Sequence, residues 1–481
     1  MSQHEYDVVV IGAGAVGENV ADRAVQGGLR TVIVEAELVG GECSYWACMP
    51  SKALLRSAAT VRAARAVDGA RQAVTGDIDV TAVLRRRDGI THDWSDDSQV
   101  AWLEGAGIDL LRGHATLTGP RRVRVTSPEG ADIDLTARHA VVVATGSAAL
   151  LPDTPGLADI EPWTSRDATS AESVPASLAI IGGGVVAAEM ATAYAGFGTA
   201  VTLLVRSRLL GAAEPFAADL VAAALTAAGV DLRTGVEVVA AHPGGTGGGS
   251  GIAGATLELS DGALVHAEKV LVATGRTPRT TDLGLDAVGL TPGGWLDVDD
   301  TMLVRGTDWL YAVGDVNGRV LLTHQGKYQA RAAGDVIAAR AAGATVDDAP
   351  WGAHVATADH AHVPQVTFTD PEIASVGLTA EAATAAGHRI RVLDYDLAWV
   401  AGASVHSDDY RGQARAIVDL DRGVLIGATF AGPDVAELLH AATIAIVGEV
   451  PLTRLWHAVP AYPTVSEVWL RWLEEYGRPT A

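Results

Sequence analysis

The feature that most constrains this chain is a strand-and-glycine-turn pattern that occurs twice. Asp7–Gly17 runs through Val8, Val9, Val10 and Ile11 into Gly12-Ala13-Gly14-Ala15-Val16-Gly17. Leu178–Glu189 is built the same way around Gly182-Gly183-Gly184-Val185-Val186-Ala187, with alanine in the third glycine position. Strands this continuously apolar predict parallel sheets covered on both faces. The glycines allow a tight turn and bring a pyrophosphate close to the N-terminus of the next helix, where amides and dipole favour negative charge. Two further short strands, Ala140–Ala144 and Val270–Ala273, each end in Ala-Thr-Gly. The repetition predicts two nucleotide domains, one inserted in the other.

The residues beyond each turn separate the two. Glu35 ends the strand after the first turn, about where an acid would hold the ribose hydroxyls of adenosine. The strand Ala200–Val205 after the second turn runs into Arg206-Ser207-Arg208, with no acid. Arginines there accommodate a 2′-phosphate, so Arg206 and Arg208 point to NADPH, with NADH as the alternative if they are only solvated charges.

At 481 residues the chain suggests about three domains of roughly 150 residues. Its 35 Lys+Arg against 58 Asp+Glu leave a net charge of −23. A field of that sign repels phosphate backbones and anionic lipids, so neither nucleic acid nor a membrane surface is expected as a partner. Two cysteines in a chain of this size cannot build a disulfide framework. Met1–Tyr6 carries no basic segment or cleavage site, and the apolar stretch Ser177–Val205 is interrupted by Gly182, Gly183 and Gly184. That stretch reads as two buried strands joined by a helix, and the expectation is a cytoplasmic protein.

Pro152–Pro155 reads as a linker, and Gly244–Gly251, with six glycines in eight positions, as a flexible hairpin tip. From Val363 the pattern changes. Val366–Phe368, Ala414–Asp419 and Val424–Phe430 predict an antiparallel sheet, followed by helices at Val435–Gly448 and Val465–Tyr476, together a third, α+β domain.

Both cysteines fall in Gly40-Gly41-Glu42-Cys43-Ser44-Tyr45-Trp46-Ala47-Cys48-Met49-Pro50-Ser51-Lys52. Positions five apart on a regular helix lie ~140° apart around its axis, so a Cys43–Cys48 disulfide needs a distorted turn. Pro50 is placed to begin the following helix, which puts Cys48 at a positive helix end that lowers a thiol pKa.

On these residues the sequence resembles the pyridine nucleotide–disulfide oxidoreductases, the FAD flavoproteins that include glutathione reductase, lipoamide dehydrogenase and mercuric reductase. The resemblance covers essentially the whole chain. Its most specific part is Gly40–Lys52; Ala144–Gly146, Ala273–Gly275, Tyr311–Asp315 and Phe368–Leu378 support it. It implies an α/β fold with two Rossmann-like dinucleotide-binding domains, one inserted in the other, and a C-terminal α+β dimerisation domain. The expected boundaries are 1–151 with 280–350 for FAD, 152–279 for NAD(P)H and 351–481 for dimerisation.

The resemblance further implies a homodimer with a shared active site, and a role for each matching residue. FAD would be bound by Gly12, Gly14, Gly17, Glu35, Thr145, Gly146, Gly314 and Asp315, the last on the ribityl chain. The nicotinamide coenzyme would be bound by Gly182, Gly184, Arg206, Arg208 and Gly275. Arg276 matches the family's Gly-Arg segment and counts among the cofactor-binding residues. Lys52, paired with Glu189, would lie near flavin N5. Cys48 would be the charge-transfer thiol and Cys43 the interchange thiol that attacks a disulfide.

The chain departs from the family at two places. Where disulfide reductases carry an acid–base histidine, the sequence reads Ala461-Tyr462-Pro463-Thr464, although Glu467, which would orient that histidine, is kept. Tyr462, with an ordinary pKa near 10, can donate a proton but is a poor base, and His457 is the alternative. Tyr45 and Trp46 between the cysteines would either narrow access and stack on a planar acceptor or pack the redox helix. Two functions are then open: an NADPH-dependent reductase of a small disulfide, or a diaphorase-like reductase of a quinone-type acceptor in which the cysteine pair is auxiliary. Mercuric reductase is disfavoured because no third cysteine exists to form its extra C-terminal pair.

Overall fold

The computed structural model describes residues 3–244 and 254–478. The glycine-rich Gly244–Gly251 segment therefore lies outside the described residues, Gly244 excepted. The chain forms two compact units. One gathers Met1–Pro50, Arg87–Leu150 and Arg276–Asp359; the other gathers Ser51–Arg86, Leu151–Gly275 and His360–Ala481.

The first unit is built on a seven-stranded sheet. Gln3–Ile11 lies at its middle, parallel to Thr31–Glu35 on one side and to Asp132–Val143 on the other, with Val9 opposite both Val32 and Val141. Val8, Val9 and Val10 are wholly buried, as strands covered on both faces require. Asp132–Val143 is a single strand of 12 residues, longer than the Ala140–Ala144 strand expected from the sequence. Its first half pairs antiparallel with Arg122–Thr126 and is only partly buried. The mixed polarity of Asp132–His139 hid that half, because only the last residues are continuously apolar.

The second unit contains a four-stranded parallel sheet ordered Asp231–Thr234, Ala200–Val205, Ser177–Ile181, Lys269–Val272. Its helix Val185–Gly196 is buried at every position from Ala187 to Tyr194, which explains an apolar sequence all round the helix. A five-stranded antiparallel sheet comes next along the chain, ordered Pro364–Thr367, Glu372–Gly377, Val424–Gly432, Gln413–Asp419, Ile390–Asp396. The helices Leu439–Val447 and Val468–Tyr476 complete this α+β region. Among the described residues no helix is long and apolar enough to cross a membrane.

Candidate active site

In the first unit Gly12 takes φ +100°, and a Cβ there would lie 2.5 Å from the Ala144 carbonyl oxygen. A Cβ on Gly17 would lie 1.9 Å from the Gly12 carbonyl, so the helix Ala15–Gln26 starts tight against the turn. At Gly14 the nearest atom to a Cβ is 4.0 Å away, and no side chain caps the helix. Uncapped first-turn amides, on a turn that at Gly14 meets only the glycine backbone of Gly40 and Gly41, fit the pyrophosphate of FAD. Glu35 accepts from the Ala13 amide (2.6 Å) and from the Glu37 amide (2.8 Å), one per carboxylate oxygen. Each oxygen keeps a free acceptor site for a hydroxyl. Burial raises the Glu35 pKa and the two amides oppose it.

Asp315 lies on the short helix Gly314–Asn317, and its Oδ2 accepts from Ser147 Oγ at 2.5 Å. Burial raises its pKa, while Ser147 and Arg276 pull it down. Arg276 donates from Nε to Ser147 Oγ (2.5 Å) and from Nη2 to the Ser147 carbonyl (2.9 Å). Thr145 Oγ1 donates to the Arg279 carbonyl, and the Gly146 carbonyl accepts from the Arg279 amide. Beneath Asp315 lies a buried amide network with no motif in the sequence. Gln329 Oε1 accepts from the Gly314 amide and from Asn317, and Asp359 accepts from Gln325 and Gln329.

The cysteine segment is two helices joined by a break. Gly41–Tyr45 stops at Trp46, whose φ is −134°, and a new helix runs Cys48–Arg65. It begins two residues before Pro50, because a proline is tolerated anywhere in a first turn whose N–H groups have no intrahelical partner. The break lets Cys43 and Cys48 meet as two half-buried, unbridged thiols joined by a hydrogen bond. The Cys48 contact and burial push the Cys43 pKa up, while Thr323 and Lys327 pull it down. Cys48 Sγ lies 3.3 Å from Thr323 Oγ1, the first residue of the helix Thr323–Ala341. Thr323 and Lys327 escaped the sequence reading because nothing in a helix marks which residue faces a distant thiol. Tyr45 is a packing residue: it is 2% exposed, and its hydroxyl lies 2.8 Å from Gln99 Oε1. Trp46 meets it edge-on at 5.7 Å.

In the second unit Gly182 takes φ +137°, and a Cβ there would lie 2.2 Å from the Ala273 carbonyl oxygen. Gly184 opens onto empty space, Ala187 is wholly buried and Gly275 takes φ +154°. Arg206 is 81% exposed, with Glu237 Oε1 at 3.7 Å from its Nε. Arg208 is spent on its own loop, donating to the Gly211 and Ala213 carbonyls.

Lys52 and Glu189 are brought together. Lys52 Nζ donates to Glu189 Oε2 at 2.8 Å, and the Phe368 amide donates to Oε1 at 3.0 Å. The Phe368 ring also lies under the ammonium at 4.8 Å. Tyr462 and Glu467 share no hydrogen bond among the described residues. Tyr462 is 76% exposed. Glu467 is buried, with Oε1 accepting from Arg471 at 3.1 Å and Oε2 unpartnered. His457 is exposed.

Two dinucleotide-type turns followed by an antiparallel C-terminal sheet are the architecture of a flavin- and nicotinamide-dependent oxidoreductase. The chain belongs to the pyridine nucleotide-disulphide oxidoreductase family, whose pattern matches residues 6–334, and the family's dimerisation domain matches residues 363–472. It is 32% identical over 474 residues to the dihydrolipoyl dehydrogenase of Chlorobaculum tepidum, covering 96% of this chain and 95% of that one. It is 30% identical over 467 residues to the mercuric reductase of Staphylococcus aureus, covering 96% and 81%. Its fold matches the Cu(II) complex of the HOCl-induced flavoprotein disulfide reductase RclA from Escherichia coli, with a TM-score of 0.83 at 23% identity over 98% of this chain and 100% of that one. The chain is thus a flavoprotein disulfide oxidoreductase of a family that binds FAD and NAD(P)H, with FAD- and NAD-binding domains and a C-terminal dimerisation domain.

Proposed function

We propose that this enzyme takes reducing equivalents from NADPH and delivers them through Cys43 and Cys48 to a small disulfide, working in the cytoplasm as a homodimer with a shared active site. The observation that carries the reading is the Cys43–Cys48 thiol pair, held across the break at Trp46 with Cys48 at a helix start. FAD, when bound, supplies the two-electron relay between nicotinamide and disulfide. Gly12, Gly14, Gly17, Glu35, Thr145, Gly146, Gly314 and Asp315 would hold it, and Lys52, oriented by Glu189, would offer it a cation. Gly182, Gly184 and Gly275 would receive the NADPH diphosphate, with exposed Arg206 on the 2′-phosphate.

In the dithiol, the Cys43 thiolate attacks the substrate disulfide, forming a mixed disulfide and releasing one thiolate. The Cys48 thiolate, favoured by the helix N-terminus, then attacks Cys43 Sγ. The second substrate thiolate leaves, the Cys43–Cys48 disulfide forms, and the two protons of the dithiol end on the two product thiols. Tyr462 would relay one of those two protons, giving its own to a leaving thiolate and regaining one from the dithiol, a phenol being a better donor than base at neutral pH.

One observation favours a second reading, reduction of a quinone-type acceptor. Glu467 is bound to Arg471 rather than to an acid–base group, and reduction at a flavin needs no leaving thiol to be protonated. An anaerobic NADPH titration of the holoenzyme, with the Cys43→Ser variant, separates them. The disulfide reading expects about two equivalents taken up, with a long-wavelength thiolate–flavin band midway, and loss of disulfide turnover in the variant. Uptake of about one, with quinone turnover intact in Cys43→Ser, would put the second reading in its place.

A further inference from the structure

Glu42 immediately precedes Cys43, and the thiol exchange itself does not use it. Its carboxylate is 24% exposed, with Oε2 3.6 Å from Arg279 Nη2 and Oε1 4.0 Å from Arg276 Nη2. Both arginines are anchored on Ser147, which is 3% exposed: Arg276 on its hydroxyl and carbonyl, and Arg279 by Nε on the same carbonyl at 3.2 Å. Ser147 in turn donates to Asp315, and Arg276 Nε lies 3.6 Å from the same Asp315 oxygen. Two carboxylates and two guanidiniums are thus balanced around one buried serine. Meanwhile the helix that carries Cys43, Gly41–Tyr45, is five residues long and is broken off at Trp46. A helix that short does not hold itself in place, so side-chain contacts must fix where its thiol lies.

We propose that Glu42 is a positioning residue: with Arg276 and Arg279 it forms an ionic clamp that holds the Cys43 loop on the paired strands Ser147–Ala149 and Arg276–Pro278 and restrains the exposure of the interchange thiol. The role of Cys43 rests on the reading under Proposed function. The clamp itself does not, because thiol reactivity can be measured without any substrate.

The test is the rate at which iodoacetamide, a neutral reagent, modifies Cys43 in the holoenzyme reduced by a phosphine, tracked by mass spectrometry at low and at about 1 M salt, where screening acts within ~3 Å. Loosening the clamp speeds the reaction. Screening Lys327 withdraws support from the Cys43 thiolate and slows the reaction, whereas screening the neighbouring Cys48 relieves a repulsion and speeds it, so a rise with salt counts for the clamp only where Glu42→Gln abolishes it. The wild-type rate is expected to rise about fivefold with salt, the scale of partly exposed ion pairs. Glu42→Gln should be fast and indifferent to salt, Glu42→Asp should keep the wild-type behaviour, and Glu42→Gln combined with Arg279→Gln should be no faster than either alone. A wild-type rate that falls or stays level with salt, or single-variant effects that multiply in the double variant, overturns the clamp. Even where a variant fails to fold, a wild-type rate that does not rise with salt overturns the clamp.

Discussion

The two glycine turns share a backbone and differ in everything just beyond it. In each, the first glycine lies against the carbonyl of an Ala-Thr-Gly alanine, Gly12 on Ala144 and Gly182 on Ala273. That packing explains why the sequence carries both motifs twice: the alanine ends the neighbouring strand where only a glycine fits opposite. Past the turn the two part company. The residue after the first turn is Glu18, and its counterpart after the second is Ala188, wholly buried. The second turn's acid comes one position later, at Glu189, with both oxygens bonded, whereas Glu18 Oε1 is buried without a partner. The next strand ends in Glu35 in one unit and runs into Arg206 in the other. Backbone sets where a diphosphate fits, and the side chains just outside set the charge it meets.

The largest effects should come from breaking the shared part. Gly12→Ala and Gly182→Ala each drive a Cβ into a backbone carbonyl at a positive φ, which costs about 3 kcal/mol or more. Gly12→Ala should yield protein without flavin. Gly182→Ala should keep its flavin and lose reduction by NADPH. The readouts are flavin absorbance per chain and the rate of flavin bleaching on mixing with NADPH. Wild-type bleaching in Gly182→Ala would break the assignment of the second turn.

The two acids sharpen the comparison through pH. Burial pushes the Glu18 pKa up to about 7, opposed by Lys327 and reinforced by Glu35. A carboxyl whose folded pKa is raised is favoured as the neutral acid. Its contribution is fully present below about pH 4.5 and is lost as pH rises through about 7, at most roughly 3 kcal/mol. Wild-type melting temperature should therefore fall between pH 5 and 8 by several degrees more than that of Glu18→Gln. Parallel curves for the two proteins would mean that Glu18 is charged and satisfied in the fold.

These differences mark how far the sequence could be read. The strand-turn-helix units were legible because Val8–Ile11 and Leu178–Ile181 are continuously apolar and each runs into glycines. The cysteine segment is legible as chemistry and its spacing asks for a distorted turn, but the position of the break at Trp46 is not legible, because nothing in Tyr45-Trp46-Ala47 marks it. Tyr45 is ambiguous in sequence as an aromatic between cysteines, and its hydroxyl against Gln99, 54 residues away, makes it a packing residue. The Gln325–Gln329–Asp359 network and the Glu42–Arg279 contact are side-chain meetings across distant segments, which no local pattern encodes. Arg206 and Arg208 look alike in sequence and are told apart only by what the loop carbonyls do.

That distinction carries the smallest prediction. Arg206 is exposed, and its nearest acid, Glu237, stands at 3.7 Å, a loose contact that a phosphate can displace. Arg208 already spends its guanidinium on two carbonyls of its own loop. Losing a charge-assisted bond to a 2′-phosphate costs about 1.5–3 kcal/mol, so Arg206→Ala should raise the KM for NADPH about 10- to 100-fold with kcat kept. NADH, which lacks that phosphate, should be used as before. Arg208→Ala should raise the NADPH KM only a few-fold, acting through the loop that presents Arg206. Steady-state kinetics with both coenzymes decides it: equal losses with NADPH and NADH would mean that Arg206 shapes the loop rather than reading the phosphate, and the second turn would then have no preference built into its strand end.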